Sequence, residues 1–435
     1  MLLSARSRSR ACGSACSGLR LEWLTGVSAS PAARAQCPRR LPQSRLPHPR
    51  TAFRAFHSTH ERNSQSPRIS YRAAASASGK GRPFTPARNA YNFNPDLHEA
   101  LGVAVDTQNP VAKRKRRPDS GEDAFFVSRV GRSGSPSDNS IAFAVADGVG
   151  GWAESRVDPA DFSHALCGYM AESALAWDQP ADQLRSKSLL QTGYDMVVAD
   201  KSVPAGGSTA SVGIGLEDGR VELANLGDSG SVLLRQAAVH HYSIPQTHGF
   251  NTPYQLSIIP PRMRQQASIF GGAYLEDFPR DAITTTLHLH HGDVLILATD
   301  GVFDNLNNQD ILKLVTSRML YTKAWSASTS PNTGITPASS ETLAALTGPD
   351  GLAALLPKAP SSESKSATAS NPHDATYTLQ SLLAATIAGE AKLASMDLRR
   401  DGPFAKEAQR YYPGDYYRGG KVDDITVLVI IAVEK

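Results

Sequence analysis

An α+β fold built on packed antiparallel sheets is what the sequence predicts, on three observations. In TASVGIGLEDGRVELANLGDSGSVLLR, Thr209 to Arg235, β-rich runs are separated by Asp218-Gly219 and Gly227-Asp228, the signature of antiparallel hairpins. Strand-sized apolar runs recur at wide intervals: IAFAVA from Ile141, VLILA from Val294 and ITVLVIIAV from Ile425. Helical patterning is grouped between these runs, which disfavours a parallel doubly wound sheet.

The N-terminus reads differently. Residues 1–60 hold ten arginines, no lysine and a single acid, Glu22, among many Ser and Ala. That profile belongs to organellar transit peptides. LRLEWLTGV is interrupted by Arg20 and Glu22, so it falls short of the apolar run of about 7–15 residues that a secretory signal needs. FRAFHST, Phe53 to Thr59, places an arginine two residues before an aromatic and resembles a mitochondrial processing site, with cleavage expected near Phe56. Residues 1–56 are therefore read as a mitochondrial transit peptide, with the matrix as destination. Cys12, Cys16 and Cys37 fall in that segment and leave Cys167 alone, unable to form an internal disulfide.

Residues 57–93, rich in Ser, Arg, Ala and Pro without periodicity, are expected to form a disordered linker. One domain is expected over 94–435, with a low-complexity insertion at about 326–374. Within it, KRKRR (Lys113 to Arg117) reads as a solvated charge run rather than a nuclear import patch. DPADFSHALCGYMAESALAW, from Asp158, carries an N-cap aspartate, a proline at the first helical position, and Phe162, Leu166, Tyr169 and Met170 on one face. Residues 376–397 are expected to be helical. At 40% hydrophobic residues and a net charge of +4, the chain suits a globular core and gives no basis for a nucleic-acid partner. No run reaches the roughly 18 apolar residues of a membrane span.

Three distant segments share one design. AFAVADG places Asp147, LILATDG places Asp300 and VDDITVLVI places Asp423 at the end of an apolar strand, each beside further acids or glycines. Gathering such carboxylates is costly without a cation. Oxygen donors with no Cys or His nearby suit Mg²⁺ or Mn²⁺. GEDAFFV, with Glu122 and Asp123 entering a strand, and LGDSGSV, with Asp228, fit the same scheme. Because successive strand side chains alternate in direction, only one of Asp423 and Asp424 is expected to face a given metal.

GEDAFF, VADGVGGW, GGSTA, ANLGDSG, LATDGVFDN and GGKVDDIT, in that order, resemble the metal-dependent protein phosphatases of the PPM, or type 2C, family. The resemblance covers roughly Asn94 to Lys435 apart from the insertion. QTHGFNTPYQL and PFAKEA are similar to the mitochondrial branch. It implies a central β-sandwich flanked by helices, in α-β-β-α layers, with a dinuclear metal site at one end. It implies Asp147 bridging two ions, the Gly148 carbonyl on one, Asp300 and Asp423 on the other, and Glu122 and Asp123 holding water. Asp228 and Asp304 answer to a weaker third site of some relatives. The reaction implied is direct hydrolysis of phosphoserine or phosphothreonine by water activated between two ions, on phosphorylated mitochondrial proteins; the protein is expected to be a monomer. Two positions depart from the family: Val149 stands where many relatives have histidine, and Pro118 where many have a phosphate-gripping arginine, for which Arg116 or Arg117 are the neighbouring substitutes.

Two other functions compete: hydrolysis of small phosphorylated metabolites, and a catalytically dead phosphatase fold used for binding. The second predicts a missing metal acid, and all the principal ones are present. LHLHHGD (His288, His290, His291) has no companion ligand motif, DNLNNQD lacks the glycine and final Glu of a calcium loop, and GIGLEDG is followed by no helix.

Overall fold

The run Ile425–Glu434 is apolar at almost every position because both of its faces are covered. Ile425, Val427, Val429, Ile431 and Val433 join a core beneath helices, while Leu428, Ile430 and Ala432 enter a core between two sheets. The period of two thus survives inside an uninterrupted hydrophobic string. Ile141–Ala146 does the same in the second sheet, with Ile141, Phe143 and Val145 turned inward and Ala142, Ala144 and Ala146 turned to helices.

The computed structural model describes residues 68–131, 140–269, 274–328, 334–349, 351–353, 378–414 and 416–435. The expected transit peptide, residues 1–56, and its expected cleavage point lie outside the described residues. One six-stranded sheet runs through Ala238–Tyr242, Gly230–Arg235, Val294–Ala298, Ile425–Glu434, Ile69–Ser78 and Ala90–Asn92. The other runs through Ile283–His288, Arg220–Leu226, Ala210–Gly215, Ile141–Ala146, Ala124–Arg129 and Ala100–Leu101. Neighbours within both sheets are antiparallel. Helices Pro159–Leu175 and Ser186–Ala199 cover the second sheet, and Asn308–Tyr321 and Leu379–Met396 cover the first. The expected α-β-β-α sandwich is the observed fold. Among the described residues no helix is long and apolar enough to cross a membrane.

Pro159–Leu175 starts as its sequence says: Asp158 accepts the Ala160 amide at 3.2 Å and Pro159 takes the first turn. Phe162, Leu166 and Met170 are fully buried beneath it.

Four expectations need correction. The linker span 57–93 contains Ile69–Ser78, paired along its full length with the C-terminal strand from Ile69 opposite Glu434 to Ser78 opposite Ile425. RAAASAS resembles low complexity because a strand packed on both faces accommodates small residues, and Ala73, Ala75 and Ala77 all enter the inter-sheet core. The insertion span 326–374 likewise begins in order: Trp325–Ala327 pairs with Ile335–Pro337, helix Ser340–Thr347 follows, and Trp325 and Leu343 are buried. Residues 354–377 lie outside the described residues. Asp218-Gly219 does turn a hairpin, but Gly227-Asp228 carries the chain from one sheet to the other, since Arg220–Leu226 and Gly230–Arg235 belong to different sheets. A turn signal marks a reversal; it does not say which sheet receives the next strand.

KRKRR is the fourth. Pro110–Lys115 is a short helix in which Lys113 pairs with Glu172 and Arg114 with Asp161, and just beyond it Arg117 pairs with Asp158 and Asp161, while Lys115 is exposed. The run is therefore solvated only in part: Arg114, Lys115 and Arg116 are exposed, while Lys113 and Arg117 tie it to the outer helix Pro159–Leu175.

Candidate metal centre

Antiparallel pairing decides where the acids meet. Ala124 lies opposite Ala146, so Asp123, just before one strand, and Asp147, just after its neighbour, share one sheet end. In the other sheet Ala298 lies opposite both Val427 and Gly230, which brings Asp300, Asp423 and Asp228 to the ends of three adjacent strands. Asp147, Asp228 and Asp300 each place a carboxylate oxygen within 4.8 Å of the others.

The backbone around them is tightly held. A Cβ on Gly148 would lie 2.5 Å from the Glu122 carbonyl oxygen and 2.9 Å from that of Pro159, so glycine alone lets the chain pass there. The Ser208 hydroxyl and Thr209 amide donate to the Asp147 carbonyl at 2.8 and 3.0 Å. Glu122 lies over Gly150, whose added Cβ would be 2.8 Å from Glu122 Oε2. Thr299 Oγ1 donates to Asp123 Oδ2 at 2.8 Å.

Like charge and burial oppose ionisation across the cluster. Asp147 is pushed up by desolvation and then by Asp300, Asp123 and Asp228. Asp123 rises through burial and Asp424, and Asp304 through burial and Asp300. Asp228 is pushed up to about 7 by burial and Asp300. Glu122 rises by desolvation, with Asp424 and Asp423 adding to it. Asp300 moves the other way: burial works against its charge, but Lys421 holds the carboxyl below its usual range.

Lys421 is one residue that sequence reasoning missed. Its Nζ lies 2.6 Å from Asp300 Oδ2, 2.6 Å from Asp304 Oδ2 and 3.2 Å from Asp423 Oδ2. Burial disfavours the ammonium, yet these three acids raise its pKa. Its place two residues before Asp423 in GGKVDD was a visible signal. Asn305 holds the same segment, donating to the Lys421 carbonyl at 2.9 Å and accepting its amide at 3.0 Å.

Asp423 and Asp424 both precede the strand, which begins at Ile425, so strand alternation does not separate them. Backbone contacts do. Asp424 is buried and accepts the amides of Lys80 and of Glu122, the latter at 2.7 Å, whereas Asp423 faces Lys421 and Lys80. Gly121 makes room for this: with φ at +73°, any Cβ there would meet the Asp424 carboxylate.

The donor set fits a hard divalent cation. Asp123 Oδ1 and Asp228 Oδ1 are buried without a hydrogen-bond partner, and converging carboxylates need positive charge beyond Lys421.

A family model for protein phosphatase 2C matches residues 115–330. Over 261 residues the chain is 37% identical to the mitochondrial protein phosphatase 2C homolog 7 of Saccharomyces cerevisiae, covering 59% of this chain and 72% of that protein. The chain belongs to the protein phosphatase 2C family. It is also 31% identical over 320 residues to the 5-azacytidine resistance protein azr1 of Schizosaccharomyces pombe, covering 73% of this chain and 84% of that one. With the Homo sapiens protein phosphatase PTC7 homolog it shares 37% identity over 197 residues, 44% of this chain and 59% of that one. It is a serine/threonine protein phosphatase of the 2C type.

The two departures of this type 2C phosphatase have structural consequences. Val149 packs against an apolar cluster of Trp152, Ala205 and Ile259, so no proton donor occupies that position. Arg116 pairs with Asp106 at an exposed position, and Arg117 is more firmly engaged with Asp158 and Asp161. An exposed cation beside the acids is Lys80, whose Nζ is 3.6 Å from Asp423 Oδ1 and whose side chain is 61% exposed. It lies 42 residues upstream of Glu122, in the span expected to be a linker, and no local motif announced it.

Proposed function

We propose that this phosphatase hydrolyses phosphoserine and phosphothreonine in mitochondrial proteins with the help of two Mg²⁺ or Mn²⁺ ions. The observation that carries the reading is the convergence of Asp147, Asp228 and Asp300 within 4.8 Å, with a buried oxygen of Asp228 left unpartnered. Asp147, the Gly148 carbonyl, Asp300 and Asp423 are assigned to the ions, Glu122 and Asp123 to water around them, and Asp228 and Asp304 to a weaker third position. When bound, the ions supply an acidified water and neutralise phosphate charge. The protein's own residues do the rest. Asp424 orders the Glu122 backbone, Lys421 balances the acids, and Lys80 offers an exposed ammonium to the substrate phosphate.

The mitochondrial address rests on the arginine-rich, acid-poor N-terminus and on the yeast relative named as mitochondrial. A panel of phosphopeptides and phosphorylated metabolites, assayed with Mn²⁺ and with chelator, tests the chemistry. Metal-dependent turnover of phosphopeptides is expected. Turnover after exhaustive metal removal, or of metabolites alone, overturns the reading.

A further inference from the structure

Two motifs that the metal chemistry leaves unused, QTHGFNTPYQL and PFAKEA, meet beside the acids and form a continuous aromatic surface. Phe250 lies 5.1 Å from Phe404, 5.4 Å from Tyr411 and 5.7 Å from Tyr412, and Phe404 lies 5.1 Å from Tyr417, all between ring centroids. The surface starts at the site itself. The Phe404 amide donates to the Asp304 carbonyl at 3.0 Å, and Lys421 Nζ sits 5.0 Å from the centre of the Phe404 ring. From there it opens to solvent, with Tyr411 and Tyr412 each 55% exposed.

The segment carrying Phe250 is tied down by hydrogen bonds and a ring stack. The Gln246 amide donates to the Gly227 carbonyl at 2.9 Å, next to Asp228. His248 stacks on Tyr254 at 4.2 Å and bonds Asp277, whose Oδ2 also accepts the Gln255 amide at 3.0 Å. Each half of the shelf is thus anchored on a residue of the acid cluster or its immediate neighbour. A preorganised aromatic surface loses little on binding, and exposed contiguous aromatics of this kind mark contact sites.

We propose that this shelf is the specificity-determining surface for the substrate chain, taking an apolar or aromatic side chain near the phosphorylated residue. Its occupant is the polypeptide substrate because the surface is continuous with the acids: a chain whose phosphate lies there runs directly onto Phe404. From Lys421 Nζ, 5.0 Å from the Phe404 ring centre, ring-to-ring steps of 5.1 and 5.7 Å lead outward through Phe250 to Tyr412. With an extended chain advancing about 3.3 Å per residue, the shelf reaches side chains roughly two to four positions from the phosphoresidue. The inference rests on the reading of the site as a phosphopeptide hydrolase.

The test is kcat/KM over a phosphopeptide series in which Leu or Phe replaces Ser at each position within four residues of the phosphoserine, normalised to p-nitrophenyl phosphate. Wild-type protein is expected to favour the apolar residue about tenfold at one or two positions, and Tyr411→Ser with Tyr412→Ser to erase that preference. Phe250→Leu, which keeps an apolar side chain there, should reduce it less. A flat wild-type profile overturns the shelf alone. So does an equal loss on peptides and p-nitrophenyl phosphate, which would make the tyrosines structural. Turnover of p-nitrophenyl phosphate with none of any phosphopeptide overturns the shelf together with the proposed protein substrate.

Discussion

Lys421 holds three carboxylates with one ammonium, and its removal leaves buried anions without compensation. In metal-free protein Lys421→Met should cost about 3 kcal/mol or more, seen as a lower midpoint in urea. Saturating Mn²⁺ should recover much of the loss, because the ion supplies the missing charge; an equal loss with and without Mn²⁺ would contradict the shared-charge picture. Asp423 and Asp424 differ by contact. Asp424 accepts two backbone amides, so Asp424→Asn turns an NH₂ toward a donor and should cost about 1–3 kcal/mol of stability. Asp423→Asn should instead raise the Mn²⁺ concentration for half-activity far more than Asp424→Asn does, and a manganese titration of both variants decides it. Lys80, exposed at the rim, should act on substrate: Lys80→Met is expected to raise KM for phosphopeptides several-fold with little change in unfolding midpoint.

At the scale of elements, the helix Pro159–Leu175 buries His164 with its Nε2 unpartnered. Burial pushes the imidazole pKa down to about 3, and the Arg117 guanidinium adds to this against the opposing charge of Asp161. Below the ordinary value of about 6.5 the unfolded chain binds a proton that the folded chain refuses. Stability is therefore unaffected by this group above pH 6.5 and falls as pH drops from there toward 3, by up to about 1.4 kcal/mol per unit. His164→Gln should flatten the acid-side slope of Tm measured between pH 6.5 and 5; an unchanged slope would place the sensitivity elsewhere. The helix itself was legible from Asp158, Pro159 and the spacing of Phe162, Leu166 and Met170, since those signals act within a few residues. Ile69–Ser78 was not, because its small residues make sense only against the strand Ile425–Glu434 that covers them.

For the whole molecule, that pairing ties the start of the described chain to its end. Deleting residues through Ser78 removes an internal strand and exposes one edge of Ile425–Glu434 along its length, so the shortened chain is expected to lose its cooperative unfolding transition and its activity. Deletion of residues 1–60, which leaves the strand in place, is the control, and circular dichroism with an activity assay reads both. A folded, active chain lacking residues 1–78 would refute the structural role of the strand.

What the sequence determined by itself was local or periodic: the apolar strand runs, the caps of Pro159–Leu175, and the positions of Asp147, Asp300 and Asp423 at strand ends. Order and chemistry together were enough for the α+β class and for a hard-cation site. Only the tertiary structure decided which acids converge, because register across two sheets sets the approach of Asp147, Asp228 and Asp300. It alone placed Gly227-Asp228 between the sheets, engaged Arg116 and Arg117 with other acids, and brought Lys80 to Asp423 across 343 residues of chain. Contacts between segments so far apart in the chain arise from packing, and a local pattern of residues carries no record of them.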